Sequence, residues 1–383
     1  MSGADRRLST VNLAPADLVE IEGVRAGVDA HLEAHVLALR PVLRALSPDA
    51  GELADAIAQM LSGGKRLRAA FCYWSWRAHG GSADSPAADS VLRVGAALEL
   101  FQAAALFHDD VMDRSDTRRG LPAAQLVFAA MHLRNGWTGD GARFGDSAAI
   151  LLGDLALIAS EQVFAEAVTG FDAETAGGAL RVFNHMRTEV TAGQYLDVLA
   201  QVQPWGTDPT ADEERARAVI RAKSARYSVE HPLTLGAALA GATEESRRAC
   251  TDIGLPLGEA FQLRDDILGV FGDPARTGKP AGDDLREGKR TVLVARAMAH
   301  AARVGDERTA AMLRDDLGDR AMTEPRAREI AGAIAATGAV GEVEELIDTL
   351  TQGAHRALDA ADLLPEGRRM LRSLAHAAVD RQA

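Results

Sequence analysis

Apolar side chains recur along this chain every three to four residues, the spacing that lines one face of a helix, in almost every stretch between turn signals. Glycine and proline break the pattern at Pro41, Pro48, Gly80–Gly81, Pro122, Gly136–Gly145, Gly170, Pro204–Pro209, Gly272–Gly282 and Pro365. No β-branched run alternates with polar residues, so no strand is predicted. Residues 1–14 read as a loose arm. No low-complexity linker or fixed-period repeat divides the remainder, and the chemically informative segments come from both halves. The prediction is an all-α fold, a single large helical bundle over residues 15–383 around a central cavity.

Composition agrees with the pattern. Of 383 residues, 47% are hydrophobic and only 4% aromatic, and the abundant Ala, Leu, Glu and Arg lose little entropy in a helix. A net charge of −13 excludes nucleic acid as the main partner, because phosphate backbones select basic surfaces. Cys72 and Cys250 stand far apart with no zinc spacing, which suits a reducing cytoplasm. The start of the chain lacks the apolar block of a signal peptide. Glu99 and Asp154 interrupt the two most apolar runs, 94–107 and 148–159, short of the ~20 residues a membrane span needs. The expectation is a soluble, cytoplasmic protein with no membrane span.

Three groups of residues carry chemistry. The first is His108-Asp109-Asp110-Val111-Met112-Asp113, at the end of an apolar helical run starting near Val91. Asp109 and Asp113 fall one helical turn apart, and like charges at that spacing repel unless a cation compensates. A pair of hard oxygen donors suits magnesium, which completes its shell with water and phosphate oxygens. The second is Asp265-Asp266, closing another apolar helix. Two such acidic ends facing one cavity could share metal ions and receive a diphosphate. The third is a set of cations in an acidic protein: Lys65, Arg66 and Arg68 in the basic knot 63–68, Arg118 and Arg119 after the first acidic motif, Lys279 and Lys289 after the second, and Lys223 between them. Arginine offers a planar fork to phosphate oxygens and lysine a compact point charge. His108 reads as a packing residue.

In order and spacing, GGKRLR, HDDVMDRSDTRRG, GQYLD, KSA, FQLRDDILGVFGDP and TGKPAGDDLREGKRT resemble the trans-prenyl diphosphate synthases, from about Gly63 to Thr291. The resemblance implies the isoprenoid synthase type of helical bundle, a homodimer, and head-to-tail condensation of isopentenyl diphosphate with an allylic prenyl diphosphate. It implies that Lys65, Arg68, Gln102 and Arg119 hold isopentenyl diphosphate without metal. Asp109, Asp113 and Asp265 would bind magnesium directly, about three ions per site. Asp110, Asp266, Gln194 and Asp197 would support those ligands from behind. Arg118, Lys223, Lys279 and Lys289 would clamp the allylic diphosphate. Ser224, where relatives usually carry Thr, and Gln262 would turn oxygen dipoles to the allylic cation. The family's second motif often ends in a third aspartate, and here that position is Gly269.

The resemblance also implies a measure of product length. The growing tail would run along the helix before Asp109, past Ala105 and Ala104, where shorter-chain synthases commonly carry an aromatic residue. Two alanines leave that level open, and Phe101 stands one turn deeper, ~5.4 Å along the helix and comparable to one isoprene unit. The expected product is geranylgeranyl diphosphate, with farnesyl or longer-chain synthesis as alternatives. A class I terpene cyclase would need no second diphosphate site. A non-catalytic regulatory subunit should have lost carboxylates or clamps.

Overall fold

The computed structural model describes residues 18–206, 208–273 and 282–379; the arm predicted over 1–14 and Lys279 lie outside them. Helices α1 (Val24–Leu46), α2 (Gly51–Leu61), α3 (Leu67–Ala78) and α4 (Ala87–Met112) lead to a two-residue hairpin, β1 (Thr117–Arg118) with β2 (Leu121–Pro122). Then come α5 (Ala124–Arg134), α6 (Gly141–Val168), α7 (Ala173–Val202) and α8 (Pro209–Val219), which runs into a π-helical segment, Ile220–Glu230. The chain closes with α9 (His231–Leu239), α10 (Glu244–Phe271), α11 (Asp283–Glu287), α12 (Val292–Val304), α13 (Glu307–Asp315), α14 (Glu324–Ala336), α15 (Ala339–Ala360) and α16 (Pro365–Val379). The all-α reading holds, and the hairpin contains the only strands among the described residues.

Side-chain caps set several helix starts. Asp140 accepts from the amides of Ala142 and Arg143, Asp172 from Glu174 and Thr175, and Thr243 from Ser246. Each satisfies amides the first turn leaves without partners. Pro41, read in the sequence as a break, instead lies inside α1. It is exposed in the penultimate turn, and Leu37, whose carbonyl it leaves without a donor, is 68% exposed.

A continuous apolar core runs from Leu18 to Val379. Within it α4 packs along α6, α5 lies against α6, and α10 sits between the π-helical segment and α15. Helices α4 and α6 are each long and apolar enough to cross a membrane, contrary to the reading of their sequences. In α4, 67% of the most apolar window is buried inside the protein, and in α6 50%.

Candidate active site

Helices α2, α4, α5, α7 and α10, the π-helical segment, the hairpin and the loops around α3 and α11 enclose a cavity of about 1120 Å³. That exceeds the ~300–1,000 Å³ usual for a single small ligand.

The end of α4 delivers the first acidic motif to this cavity, and its three carboxylates part ways. Asp109 lines the cavity and accepts from Lys223 Nζ at 2.9 Å and Gln194 Nε2 at 3.1 Å. Burial opposes its charge, but Lys223, Lys289 and Arg118 outweigh that and hold it well below the usual carboxylate range. Asp110 is fully buried and receives Arg118 Nε at 2.9 Å, so it fixes that guanidinium. Asp113 caps the helix and lies behind the cavity wall, 1% exposed, with Lys289 Nζ 3.3 Å away. Burial, then the charge of Asp109, pushes it up to about 6. The spacing predicted Asp109 and Asp113 one turn apart on one face; the helix ends between them, and Asp109 lines the cavity while Asp113 is buried beside Lys289.

Lys223 reaches Asp109 because two helices approach its backbone closely. A Cβ on Gly193 of α7 would lie 2.4 Å from Lys223 N, and one on Gly258 of α10 would lie 2.2 Å from Ala225 O. Only glycine at both places lets the π-helical segment wedge between α7 and α10, and π geometry is frequent at functional sites. Lys223 Nζ also contacts Asp197 at 2.5 Å. Burial alone would lower the lysine, but Asp109 and Asp197 raise it above its ordinary value.

From α10, Gln262, Asp265 and Asp266 face the same cavity. Gln262 Nε2 donates to Asp266 Oδ1 at 2.8 Å, while the other oxygen of Asp266 has no hydrogen-bond partner. Burial first, then Asp284, pushes Asp266 up to about 8. Lys289 links the first acidic motif to α11. Its Nζ lies 2.5 Å from Glu287, 3.3 Å from Asp113 and 3.6 Å from Asp284. Those carboxylates keep it charged against burial.

The cations of the basic knot differ in their partners. Arg66, in a left-handed conformation, turns inward to Asp29 at 2.7 Å and Glu99 at 3.4 Å. Lys65 and Arg68 line the cavity with Gln102. The Arg68 guanidinium stacks 4.2 Å from the centre of the Tyr227 ring and donates to Ser228 Oγ at 2.8 Å. Arg119 donates to the carbonyls of Met60 and Ser62, both at 2.7 Å, pinning the hairpin to this loop. Ser224 lines the cavity nearby.

Of the three length-measuring residues, Ala105 alone lines the cavity. Ala104 and Phe101 are 2% and 4% exposed and belong to the packed core; Phe101 lies edge-on to Tyr227, ring centres 6.1 Å apart. Ala104 lies ~100° around α4 from Ala105, and Phe101 lies one turn deeper on nearly the same face, covered by Tyr227. His108 also faces away, with Nε2 3.1 Å from Ile150 O and its ring against Gly153 of α6. Sequence reasoning assigned nothing to Tyr227, Ser228, Asp284 or Arg290, which also line the cavity. All four lie within or just beyond the quoted motifs, so proximity was the available signal.

The donors fit a hard divalent cation. Both oxygens of Asp113 and one of Asp266 are buried without hydrogen bonds. Among the described residues no three His, Cys, Asp or Glu converge on one point. One or two carboxylates per ion, completed by water and ligand phosphate, is the coordination magnesium prefers. A pH dependence follows. Because Asp113 and Asp266 are raised towards about 6 and about 8, the folded metal-free protein binds more protons than the unfolded chain between about pH 4 and pH 8. Its stability should therefore fall as pH rises through that window. Magnesium with inorganic diphosphate should raise Tm more at the alkaline end than at the acid end, because the carboxylates must lose those protons to bind it. Thermal melts with and without magnesium check this; an equal shift at both ends would count against it.

Comparison with known proteins bears directly on this site. A family model described as Polyprenyl synthetase matches residues 51–330. The chain is 35% identical to the geranylfarnesyl diphosphate synthase of Aeropyrum pernix over 243 residues, 63% of this chain and 69% of that one. It is 32% identical to the octaprenyl diphosphate synthase of Escherichia coli over 324 residues, 83% and 86% of the two chains. The structure superposes on a geranylgeranyl pyrophosphate synthase from Corynebacterium glutamicum, complexed with isoprenyl diphosphate and magnesium, with a TM-score of 0.86 at 37% identity, covering 97% of this chain and 100% of that one.

Proposed function

Because the chain belongs to the polyprenyl synthetase family and is a trans-prenyltransferase that condenses isopentenyl diphosphate with an allylic prenyl diphosphate, we propose that its product is geranylgeranyl diphosphate. The two kinds of cation around the cavity carry the assignment of its two substrates. Arg68 and Arg119 are held by neutral partners, a tyrosine ring, a serine hydroxyl and backbone carbonyls, and so offer full positive charge to a diphosphate that brings no metal. Lys223, Arg118 and Lys289 are paired with carboxylates, and suit a diphosphate that shares those carboxylates with metal. A terpene cyclase would need only the second set, and a regulatory subunit neither.

In this reading Lys65, Arg68, Gln102 and Arg119 hold isopentenyl diphosphate. Asp109, Asp113 and Asp265 hold about three magnesium ions, which when bound would neutralise the departing diphosphate. Asp110 fixes Arg118; Asp197 and Gln194 fix Lys223 and Asp109. Arg118, Lys223, Lys279 and Lys289 orient the allylic diphosphate, and Asp266 supports the second acidic end. Ser224 and the Gln262 amide oxygen turn dipoles to the carbon that loses it. The isopentenyl double bond then forms the new carbon–carbon bond and a proton is lost, with the released diphosphate as its acceptor. We further propose one domain over 15–383, a cytoplasmic location, and a homodimer joined through the exposed apolar side chains of α6, where Ile150, Leu151 and Ile158 are 44%, 61% and 62% exposed.

Product analysis from isopentenyl diphosphate with each allylic starter tests the reaction and the length together. A main product of twenty carbons is expected, and product from an allylic diphosphate alone would overturn the two-substrate reading. Ala105 on the cavity wall leaves the fifteen-carbon level open. Ala105→Phe should shorten the main product to fifteen carbons. Phe101→Ala, behind the wall, should instead cost about 3 kcal/mol of stability with little change in product length. Mass analysis and thermal melts separate the two effects; unchanged products from Ala105→Phe would remove α4 as the measure.

A further inference from the structure

Glu189, Gly193 and Asp197 stand four residues apart on α7 and so form one stripe along it. The whole stripe faces the π-helical segment. Asp197 holds Lys223 Nζ, and Gly193 lies against the Lys223 backbone. Glu189, half-buried, holds the far end of the segment. Its carboxylate accepts from Arg226 Nη1 at 2.9 Å and lies 2.6 Å from His231 Nε2, with His185 of its own helix 3.4 Å away. On the opposite side a Cβ on Gly254 of α10 would lie 2.4 Å from Glu230 Cα, so backbone meets backbone there. The α10 carboxylate Glu259 takes Arg217 and Arg221 instead, both before Lys223. Lys223 therefore sits between two fastenings on opposite neighbours. Arg226 and His231 are five residues apart, and the His231 amide donates to the Arg226 carbonyl, closing the last π turn. In an α-helix five residues turn ~500°, which would leave the two side chains ~140° apart. The wider π winding brings both to one carboxylate. Burial opposes the Glu189 charge, but His231 and Arg226 outweigh that and hold it below its ordinary value.

We propose that Glu189 is a positioning residue for the allylic diphosphate, fixing the π winding that carries Lys223 to the cavity. Glu189 itself does not line the cavity and acts through the segment. Without its charge, Arg226 and His231 lose their common partner and the last π turn is free to rewind. Lys223, three residues before Arg226, then shifts against Asp109 and Asp197. This inference rests on reading Lys223 as a ligand of the allylic diphosphate.

Calorimetric titration of inorganic diphosphate into the full chain in magnesium tests this, with thermal melts and steady-state kinetics alongside. Glu189→Gln, isosteric and uncharged, should weaken binding by about 10-fold and raise KM for the allylic substrate, with KM for isopentenyl diphosphate changed by less than about 2-fold. Arg226→Gln should move both quantities the same way, and it decides the matter if Glu189→Gln does not fold. A lowered Tm with unchanged diphosphate affinity and unchanged Michaelis constants would make Glu189 a structural residue only and overturn the proposal. A double-variant cycle gives a second readout. In a Lys223→Ala background, Glu189→Gln should cost no further diphosphate affinity, because it acts through that ammonium. Two losses that add would overturn the proposal as well. Should Lys223→Ala bind diphosphate as tightly as the unaltered protein, the reading of Lys223 falls instead, so the two failures are distinguishable.

Discussion

Replacing Asp109 with alanine should lower kcat by at least about 10²-fold with the helical content unchanged, a loss of the size seen when one preorganised electrostatic partner of a transition state is removed. Asp109 is the carboxylate of its motif that opens onto the cavity, and three cations hold it ionised. It therefore combines a permanent negative charge with access to a metal-bound diphosphate. Its loss leaves Lys223 still paired with Asp197, so stability should change little. Asp110→Ala should behave differently. That residue is buried against Arg118, and removing it strands a buried guanidinium, lowering Tm and activity together. Single-turnover kinetics and circular dichroism on the two variants would separate these cases. Near-normal kcat in Asp109→Ala, or in chelator, would refute the metal assignment.

Lys223→Ala should be the most damaging change of a single cation. Its ammonium is the shared partner of Asp109 and Asp197, at 2.9 and 2.5 Å. Removing one member of a buried pair leaves charge without compensation and costs about 3 kcal/mol or more. The same change removes a donor for the allylic diphosphate, so its KM should rise and kcat fall, with KM for isopentenyl diphosphate much less affected. Magnesium should restore part of the lost stability, because a divalent cation can replace the ammonium beside Asp109. Melts in magnesium and in chelator, with steady-state kinetics varying each substrate, check both halves. Equal effects on the two Michaelis constants would remove the distinction between the diphosphate sites.

The helical fold was legible because its signals are local. Period and turn residues act within a few positions of where they are read, and the caps Asp140, Asp172 and Thr243, seen only in the structure, are equally local. Pro41 was misread for the same reason: whether a proline ends a helix depends on which way its missing hydrogen bond faces, and that depends on the neighbouring helices. The two acidic helix ends and the scattered cations could be named as one site from motif order. Their division of labour could not. Arg66 and Arg68 are two residues apart in one basic knot, yet one is paired with the carboxylates of Asp29 and Glu99 while the other rests on a tyrosine ring and a serine hydroxyl.

By itself the sequence determined the kind of chemistry, since paired aspartates and basic residues in a fixed order admit few uses, and it determined that helices would carry them. Tertiary structure alone decided which of those side chains share a space. Ala105 lies on the cavity wall while Ala104, ~100° around the helix, and Phe101, one turn deeper against Tyr227, do not, because the packed neighbours define where the cavity ends. Gly193 and Gly258 look ordinary in the chain, and only the passage of another backbone across them shows why no side chain fits. Gly269 reads in sequence as a missing carboxylate. In space the Asp284 carboxylate, from α11, stands against that position, a neighbour that register along the helix does not reveal.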